Sequence, residues 1–257
     1  MALREQLVAF YTILVKEIRR FSRIWVQTIL PAMITTALYF VIFGNLIGSQ
    51  IGDMAGYRYI DYIIPGLILM SVITNSYANV VSSFYSAKFQ RNIEEMLVSP
   101  VPNYVILLGF VSGGVARGIS CGIAVTLVAF FFSNVGIFSF AVVFSIAILT
   151  AVLFSLAGFI NAVFANSFDD ISIVPTFVLT PLTYLGGIFY TISVLPEFWQ
   201  KVSLVNPILY MVNAFRYGIL GTSDINVVNS YLIIILFIAV LFGFSLYLLE
   251  KGYGIRK

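Results

Sequence analysis

The segment Gly118-Ile-Ser-Cys-Gly122 has the G-x-S-x-G spacing with which serine hydrolases present a nucleophile. That chemistry needs a strand-to-helix turn and a histidine as general base, whereas the segment lies in a long apolar stretch and the sequence contains no histidine. The sequence also has no H-E-x-x-H motif, no cluster of metal ligands and no phosphate-binding G-x-x-x-x-G-K-[ST] motif. We therefore predict that the chain is not an enzyme, holds no metal and does not hydrolyse ATP through a phosphate-binding loop.

Arg117 is the candidate functional residue that follows from chemistry alone, because it falls within an apolar stretch long enough to cross a membrane. A charged side chain at membrane depth faces protein or water and indicates a functional site, whereas one near the end of a span extends to the interface. The sequence leaves both alternatives open. Asp169 and Asp170 form a short turn before another apolar stretch, where a carboxylate complements the positive N-terminus of a helix.

The elements around these residues must be membrane helices. Of the 257 residues 60% are hydrophobic and 10% are charged, against about 45–50% and about 25% in soluble domains. A helix needs about 20 apolar residues to cross the hydrocarbon core. The sequence predicts six spans, at residues 25–44, 61–84, 104–132, 137–165, 171–190 and 229–249. No linker divides the chain, so residues 1–257 form one transmembrane domain of the all-α polytopic class.

The distribution of Lys and Arg predicts the orientation, because cytoplasmic loops carry an excess of positive charge. Ten lie on the side of the N-terminus: Arg4, Lys16, Arg19, Arg20, Arg23, Lys88, Arg91, Lys251, Arg256 and Lys257. Three lie on the opposite side: Arg58, Lys201 and Arg216. We therefore expect both termini in the cytoplasm, in keeping with an even number of spans.

Three segments are not spans. Residues 1–23 have apolar side chains at helical spacing, which predicts an amphipathic helix in the cytoplasmic interface, either as an anchor or as a contact for a partner. Residues 86–99 predict a short cytoplasmic helix, either solvated or bound to a partner. Residues 195–220 predict two short helices at the outer interface, separated by Asn206-Pro207, whose aromatic residues are also typical of a membrane-interface belt.

The order of these features resembles the ABC-2 type transporter permeases over essentially the whole chain. The resemblance is carried by Phe89-Gln-Arg-Asn-Ile-Glu-Glu95, by Gly113-Gly-Val-Ala-Arg-Gly118, by Phe168-Asp-Asp-Ile-Ser172, by the run from Leu179 to Tyr190 and by Phe215-Arg-Tyr-Gly218. It implies a bacterial inner-membrane exporter. The outer loops, mainly residues 48–60 and 221–228, are too short to form a domain that binds a protein or polymer, which favours a small or lipid-like substrate. Two permease copies pair in the lipid bilayer, and two copies of a separate ABC ATPase bind ATP and Mg²⁺ below them. No cofactor on this chain and no nucleic acid is implied.

The resemblance also assigns roles to residues. Residues 86–99 become the coupling helix on the ATPase, with Met96 and Leu97 as apolar anchor and Arg91, Glu94 and Glu95 setting the register. The predicted coupling residues are Lys88, Phe89, Arg91, Ile93, Glu94, Glu95, Met96 and Leu97. The predicted lid-like outer element includes Tyr184, Phe189, Tyr190, Pro196, Asn206, Pro207 and Arg216. The alternative function is a channel or secondary transporter that uses no ATP.

Overall fold

The computed structural model describes residues 2–134 and 136–254, and within them the chain is almost entirely helical. The first half contains α1 (Leu3–Arg23), α2 (Trp25–Tyr39), a π-helical segment (Phe40–Ile47), α3 (Gly48–Ile51), β1 (Asp53–Met54), β2 (Tyr57–Arg58), α4 (Tyr59–Phe89), α5 (Asn92–Val98), α6 (Asn103–Ala129) and α7 (Phe140–Phe164). The second half contains α8 (Asp170–Val174), a π-helical segment (Pro175–Leu179), α9 (Thr180–Tyr184), a 3₁₀ turn (Ile192–Val194), α10 (Glu197–Val205), α11 (Pro207–Leu220) and α12 (Val227–Lys251). Arg256 and Lys257, counted above among the cytoplasmic charges, lie outside the described residues.

Five helices in the described part of the chain are long and apolar enough to cross a membrane: Trp25–Ile51, Tyr59–Phe89, Asn103–Ala129, Phe140–Phe164 and Val227–Lys251. The first of these joins α2, the π-helical segment and α3 into one helical run. Only 22% of the apolar window of α12 is buried within the chain, against 83% for α4. Helices this apolar that leave most of their surface uncovered need lipid as the surrounding solvent.

The centre of the domain is α4, which packs between α6 and α7. The ring of Phe84 on α4 lies 5.3 Å from that of Phe110 on α6 and 4.3 Å from that of Phe159 on α7. Small residues allow the backbones to approach closely, because a Cβ on Gly158 would lie 2.6 Å from the carbonyl oxygen of Tyr77. The spacing of glycines along α6 predicts the same kind of close packing, and Gly114, whose added Cβ would meet Ser155 and Val80, confirms it.

The predicted fifth span, residues 171–190, is helical over a shorter length. Helix α8, the π-helical segment and α9 form one run of residues 170–184, which is about 22 Å long at 1.5 Å per residue. The run ends because Gly186 and Gly187 follow it, and Gly187 has a φ of +70° that continues no helix. Its length falls short of the roughly 30 Å of the hydrocarbon core.

Two further differences from the sequence prediction concern the loops. The coupling segment predicted over residues 86–99 is not one helix, since α4 continues to Phe89 and α5 begins at Asn92. The break has a local cause: Arg91 adopts a left-handed backbone with φ of 61°. A short antiparallel hairpin, with Asp53 opposite Arg58, connects α3 to α4 in an outer loop for which no strand was predicted.

Candidate functional site

A cavity of about 320 Å³, lined mostly by apolar surface with several polar groups, lies between α2, α4 and α6. Its lining combines apolar side chains with hydroxyl and amide groups, and Arg117 is the one charged residue among the described residues that line it. The polar lining includes Gln27, Thr35, Ser71, Thr74, Asn75 and Arg117. A permeation or binding site in a membrane protein requires a cavity between membrane helices that carries polar groups, and this cavity has both features.

Arg117 lies near the middle of α6, with 14 residues of the 27-residue helix before it and 12 after it. Its Nη2 donates to Oδ1 of Asn75 on α4 over 3.4 Å, and its Nε is buried without a hydrogen-bond partner among the described residues. With 14 residues before it and 12 after it, Arg117 lies about 18–21 Å from the two ends of α6.

A second polar cluster joins α1 to α4 one turn further toward the C-terminal end of α4. Glu17 is fully buried, and its carboxylate accepts a 2.5 Å hydrogen bond from Oγ of Ser83 and a 3.3 Å contact from Nε of Arg20. Nη2 of Arg20 donates to the carbonyl oxygen and to Oδ1 of Asn79, at 2.9 and 2.7 Å. Asn75 and Asn79 therefore hold one arginine each on successive turns of α4.

An amphipathic helix over residues 1–23 is expected to carry charged residues such as Glu17 on its exposed face, but Glu17 lies on the buried face of α1. The buried stripe of α1 is Ile13, Glu17 and Phe21, which face α6 and α4, while apolar Leu7 and Tyr11 are exposed. Glycines on α6 make room for this stripe, since a Cβ on Gly109 would lie 2.6 Å from Ile13 and one on Gly113 would meet Glu17. The i, i+4, i+8 spacing of Ile13, Glu17 and Phe21 places them on one helix face. The charge of Glu17 argued against burial of that face.

Some of the predicted coupling residues pack against the rest of the domain, and the others are exposed on its surface. Nζ of Lys88 donates to the carbonyl oxygens of Val163 and Ala165, at 2.6 and 2.7 Å, and so caps the end of α7. Ile93 is fully buried, and Met96 and Leu97 are half-buried against the core. The outward positions are held by Phe89, Arg91, Glu94, Glu95 and Val98. Phe89 and Val98 are the exposed large apolar side chains of this segment, whereas Met96 and Leu97, the predicted anchor, are half-exposed.

The turn that carries Asp169 and Asp170 lies beside the coupling segment. The ring of Phe168 is 5.3 Å from that of Phe89 and 4.9 Å from that of Tyr85. The carboxylate of Asp170 accepts hydrogen bonds from the backbone N–H of Asn166 and from the hydroxyl of Ser167, at 2.9 and 2.8 Å, and these bonds lower the pKa of Asp170. Asp170 occupies the first turn of α8, whereas Asp169 makes no side-chain cap.

Most residues of the predicted outer element make contacts among α9, α10 and α11. The hydroxyl of Tyr190 donates to the carbonyl of Tyr184 at 2.9 Å, and Asn206 donates to the carbonyl of Leu182 at 2.6 Å while capping α11. Pro196 precedes α10 and Pro207 begins α11. The ring of Phe189 lies 5.1 Å from Phe43 and 6.0 Å from Tyr39. The contacts of Phe189 join the outer element to the end of α2 and to the π-helical segment that follows it.

Arg216 of α11 is 1% exposed. Its Nη2 donates to the carbonyl of Gly187 at 2.6 Å, and its guanidinium lies 3.9 Å from the ring centre of Tyr62. Nε and Nη1 have no hydrogen-bond partner among the described residues. The aromatic face of Tyr62 therefore supplies much of the stabilisation of this buried cation. The sequence analysis selected Arg216 but not Tyr62, because residues 154 positions apart show no relation in a single sequence.

This set of apolar helices, with a cavity that carries polar groups between them and the short exposed helix α5, defines a polytopic membrane protein of the transport class. The family model that describes the ABC-2 type transporter matches residues 8–220. The Inner membrane transport permease YadH of Escherichia coli (strain K12) is 58% identical over 250 residues, which cover 97% of this chain and 98% of that protein. The chain belongs to the ABC-2 type transporter family, as its sequence motifs predicted.

More distant relatives match this chain over most of their length. Nodulation protein J of Rhizobium leguminosarum bv. viciae is 22% identical over 225 residues, which cover 87% of each chain. Nodulation protein J of Sinorhizobium fredii (strain NBRC 101917 / NGR234) is 24% identical over 220 residues, which cover 84% of this chain and 82% of that protein. The chain is thus a transport permease of this family, and catalysis is not its own activity.

Proposed function

We propose that this protein is the permease subunit of an ABC exporter in the bacterial inner membrane, which moves a small or lipid-like substrate outward. A separate ATPase drives it, with ATP and Mg²⁺ bound to that subunit. Two copies of the permease and two of the ATPase form the transporter. The single observation that carries this proposal is the 58% identity to an inner membrane transport permease over nearly the full length of both chains.

The contacts at the two ends of α4 support six crossings with both termini in the cytoplasm. At one end Phe89 contacts Phe168, which precedes α8. At the other end the hydroxyl of Tyr59 donates to the carbonyl of Phe189, which follows α9, at 3.1 Å. Residues 168–189 therefore extend from one end of the 31-residue α4 to the other, although their regular helix is short. Helices α10 and α11, with 9 and 14 residues, fit the outer leaflet rather than a full crossing.

The exposed face of α5 supports docking of an ATPase. Glu94, Glu95 and Val98 point away from the domain, and Phe89 stands beside them. Ile93 anchors the same short helix in the core, so that a force applied to α5 is transmitted to α4. A channel or carrier that works without ATP has no need of such a surface.

Co-purification tests the proposal. The permease, with an affinity tag, is expressed together with candidate ABC ATPases of the same genome and extracted in mild detergent. We expect the two subunits to elute together in equal amounts and ATP hydrolysis to rise when candidate amphiphiles are added. A permease that elutes alone, and that conducts ions or solutes in vesicles without ATP, would establish the channel or carrier instead.

A further inference from the structure

The charge of Arg117 has no counter-charge in the cavity that it lines. Its Nη2 donates to the neutral amide of Asn75 at 3.4 Å, and its side chain also interacts with the thiol of Cys121. Its Nε and the hydroxyl of Ser71 have no hydrogen-bond partner among the described residues. A guanidinium half-way along a membrane helix is costly unless an anion or water stabilises it. The cavity therefore has unsatisfied donors and a positive charge, but no group of its own that neutralises them.

The carboxylates of the chain are not placed to neutralise the charge of Arg117. The 11 acidic residues are Glu5, Glu17, Asp53, Asp61, Glu94, Glu95, Asp169, Asp170, Glu197, Asp224 and Glu250. They lie in α1, in loops and short helices, or within three residues of the end of a span. Glu17, one turn from Arg117 along α6, is already engaged by Arg20 and Ser83.

A second copy of the chain does not change this balance. A two-fold axis along the membrane normal places every residue of a partner at the same depth as in the first copy. Near the depth of Arg117 the partner brings only a second Glu17, which Arg20 and Ser83 engage in the same way, and it adds a second Arg117. The counter-ion of Arg117 must come from outside the polypeptide.

We propose that this cavity binds the anionic headgroup of an amphiphile, a phosphate, sulfonate or carboxylate, with Arg117 as its counter-ion. The hydroxyl of Ser71 donates to the headgroup, and Gln27 and Thr35, exposed on α2, provide further polar contacts. A volume of about 320 Å³ accommodates such a headgroup and its first few carbon atoms. The first carbon atoms of the apolar tail lie against Leu67 and Met70, which line the same cavity. That the bound molecule is also the transported substrate rests on the function proposed above.

The first experiment measures the electrostatic preference of the cavity in the full chain reconstituted in nanodiscs. Cys121 is replaced by Ala, and Thr35→Cys is labelled with methanethiosulfonates that carry either a sulfonate or a trimethylammonium group. We expect the ratio of the two labelling rates, anionic over cationic, to fall about tenfold in Arg117→Leu and to be retained in Arg117→Lys. Removal of the exposed outer charge in Lys201→Gln is the control and leaves the ratio unchanged. A ratio that does not respond to Arg117→Leu, or failure of both reagents to reach Thr35→Cys, would overturn the proposal.

The second experiment measures binding with a photoreactive dodecyl phosphate and, as its neutral match, the corresponding dodecyl glucoside. Cross-links mapped by mass spectrometry should fall on α2, α4 and α6 for the phosphate, be lost in Arg117→Leu and return in Arg117→Lys. Competition by phosphatidylglycerol identifies a lipid headgroup as the source of the anion, whereas competition by inorganic phosphate shows that the free anion suffices. Equal cross-linking by the glucoside, or cross-linking that Arg117→Leu leaves intact, would refute anion binding.

Neither experiment needs the ATPase, so the two proposals fail separately. Loss of ATPase co-purification with intact anion binding rejects the exporter and keeps the site. Intact co-purification and ATPase stimulation with no preference for anions in the cavity rejects the site and keeps the exporter.

Discussion

Single residues decide how this domain keeps charge within an apolar environment. Arg117, Arg216 and Glu17 are each held by a different means: a neutral amide and a cavity, an aromatic face, and a hydroxyl together with an arginine. Burying a charge without partners is costly, and removing one partner exposes that cost. The next two predictions each remove one partner of a buried charge and measure the resulting loss of stability.

Tyr62 tests the stacking contact with Arg216. Its hydroxyl has no hydrogen-bond partner among the described residues, so Tyr62→Phe keeps the ring face and removes an unsatisfied group. We expect Tyr62→Phe to retain or slightly raise the thermal stability in detergent. Tyr62→Leu removes the face itself and should lower the stability by about 2–4 kcal/mol, the loss of a desolvated cation–π contact together with packing. Equal stability of the two variants would show that the ring face contributes nothing.

Glu17 tests the attachment of α1. In Glu17→Gln the volume and the contact with Ser83 remain, but the charge opposite Arg20 is lost, which we expect to cost about 1–3 kcal/mol. Hydrogen exchange in α1 should rise, most of all around Ile13 and Phe21. Glu5→Gln, on the same helix but exposed, is the matched control and should change stability by less than about 0.5 kcal/mol. Unchanged exchange in Glu17→Gln would mean that packing alone holds α1.

At the scale of elements, close approach of helices depends on the absence of side chains. A Cβ on Gly114 of α6 would lie 2.6 Å from Val80 of α4 and would meet Ser155 of α7 as well. Gly114→Ala should therefore destabilise the domain by about 1–3 kcal/mol through overpacking. Gly243→Ala on α12 has open space around the new Cβ and should be neutral or stabilising by up to about 1 kcal/mol. Melting temperatures in the same detergent compare the two; a stable Gly114→Ala would show that α4 and α7 can separate without cost.

The helix α5 is the element through which we expect the ATPase to act. Reversal of both Glu94 and Glu95 to Lys should release the ATPase or leave its hydrolysis uncoupled, because a buried charge contact at an interface is worth about 2–5 kcal/mol. The spans are untouched, so the melting temperature should be unchanged. The ratio of ATPase to permease after purification is the measurement, and Glu250→Lys, an exposed acid at the end of α12, is the control. If the double reversal binds and stimulates the ATPase like the parent, α5 is only a solvated interfacial helix.

At the scale of the whole molecule, the least covered elements indicate where a second copy packs. The run Trp25–Ile51 is 17% buried within the chain, and residues 170–184 leave apolar Phe177 largely exposed. These are the first and fifth predicted spans, which we expect to meet across the pair. Ile34 and Phe177, both exposed and at similar distances from the starts of their helices, suit a cysteine pair.

Oxidative cross-linking in membranes tests this arrangement. With Cys121→Ala as background, Ile34→Cys together with Phe177→Cys should yield a dimer on a denaturing gel. Each single cysteine alone should yield much less. Products found only within one chain would exclude contact between these spans of two copies.

The sequence by itself determined that lipid surrounds most of the chain, that the fold is helical and that the chain belongs to this family. An apolar stretch of about 20 residues is stable in lipid as a helix, because the backbone groups must then be hydrogen-bonded within the segment itself. The spacing of glycines on α6, the breaks at Pro100 and Asn206-Pro207, and the asymmetry of Lys and Arg are local signals, and a reader of the sequence can use them directly.

Only the tertiary structure decided which way the polar side chains face. Glu17 has the same local pattern whether it meets water or Ser83, and Lys88 could equally have faced a partner instead of the carbonyls of α7. The pairing of Arg216 with Tyr62 and of Arg117 with Asn75 joins residues 154 and 42 positions apart. Helix periodicity fixes a residue's angle on its own helix, but the neighbour at that angle is chosen by packing, and packing depends on all the helices at once.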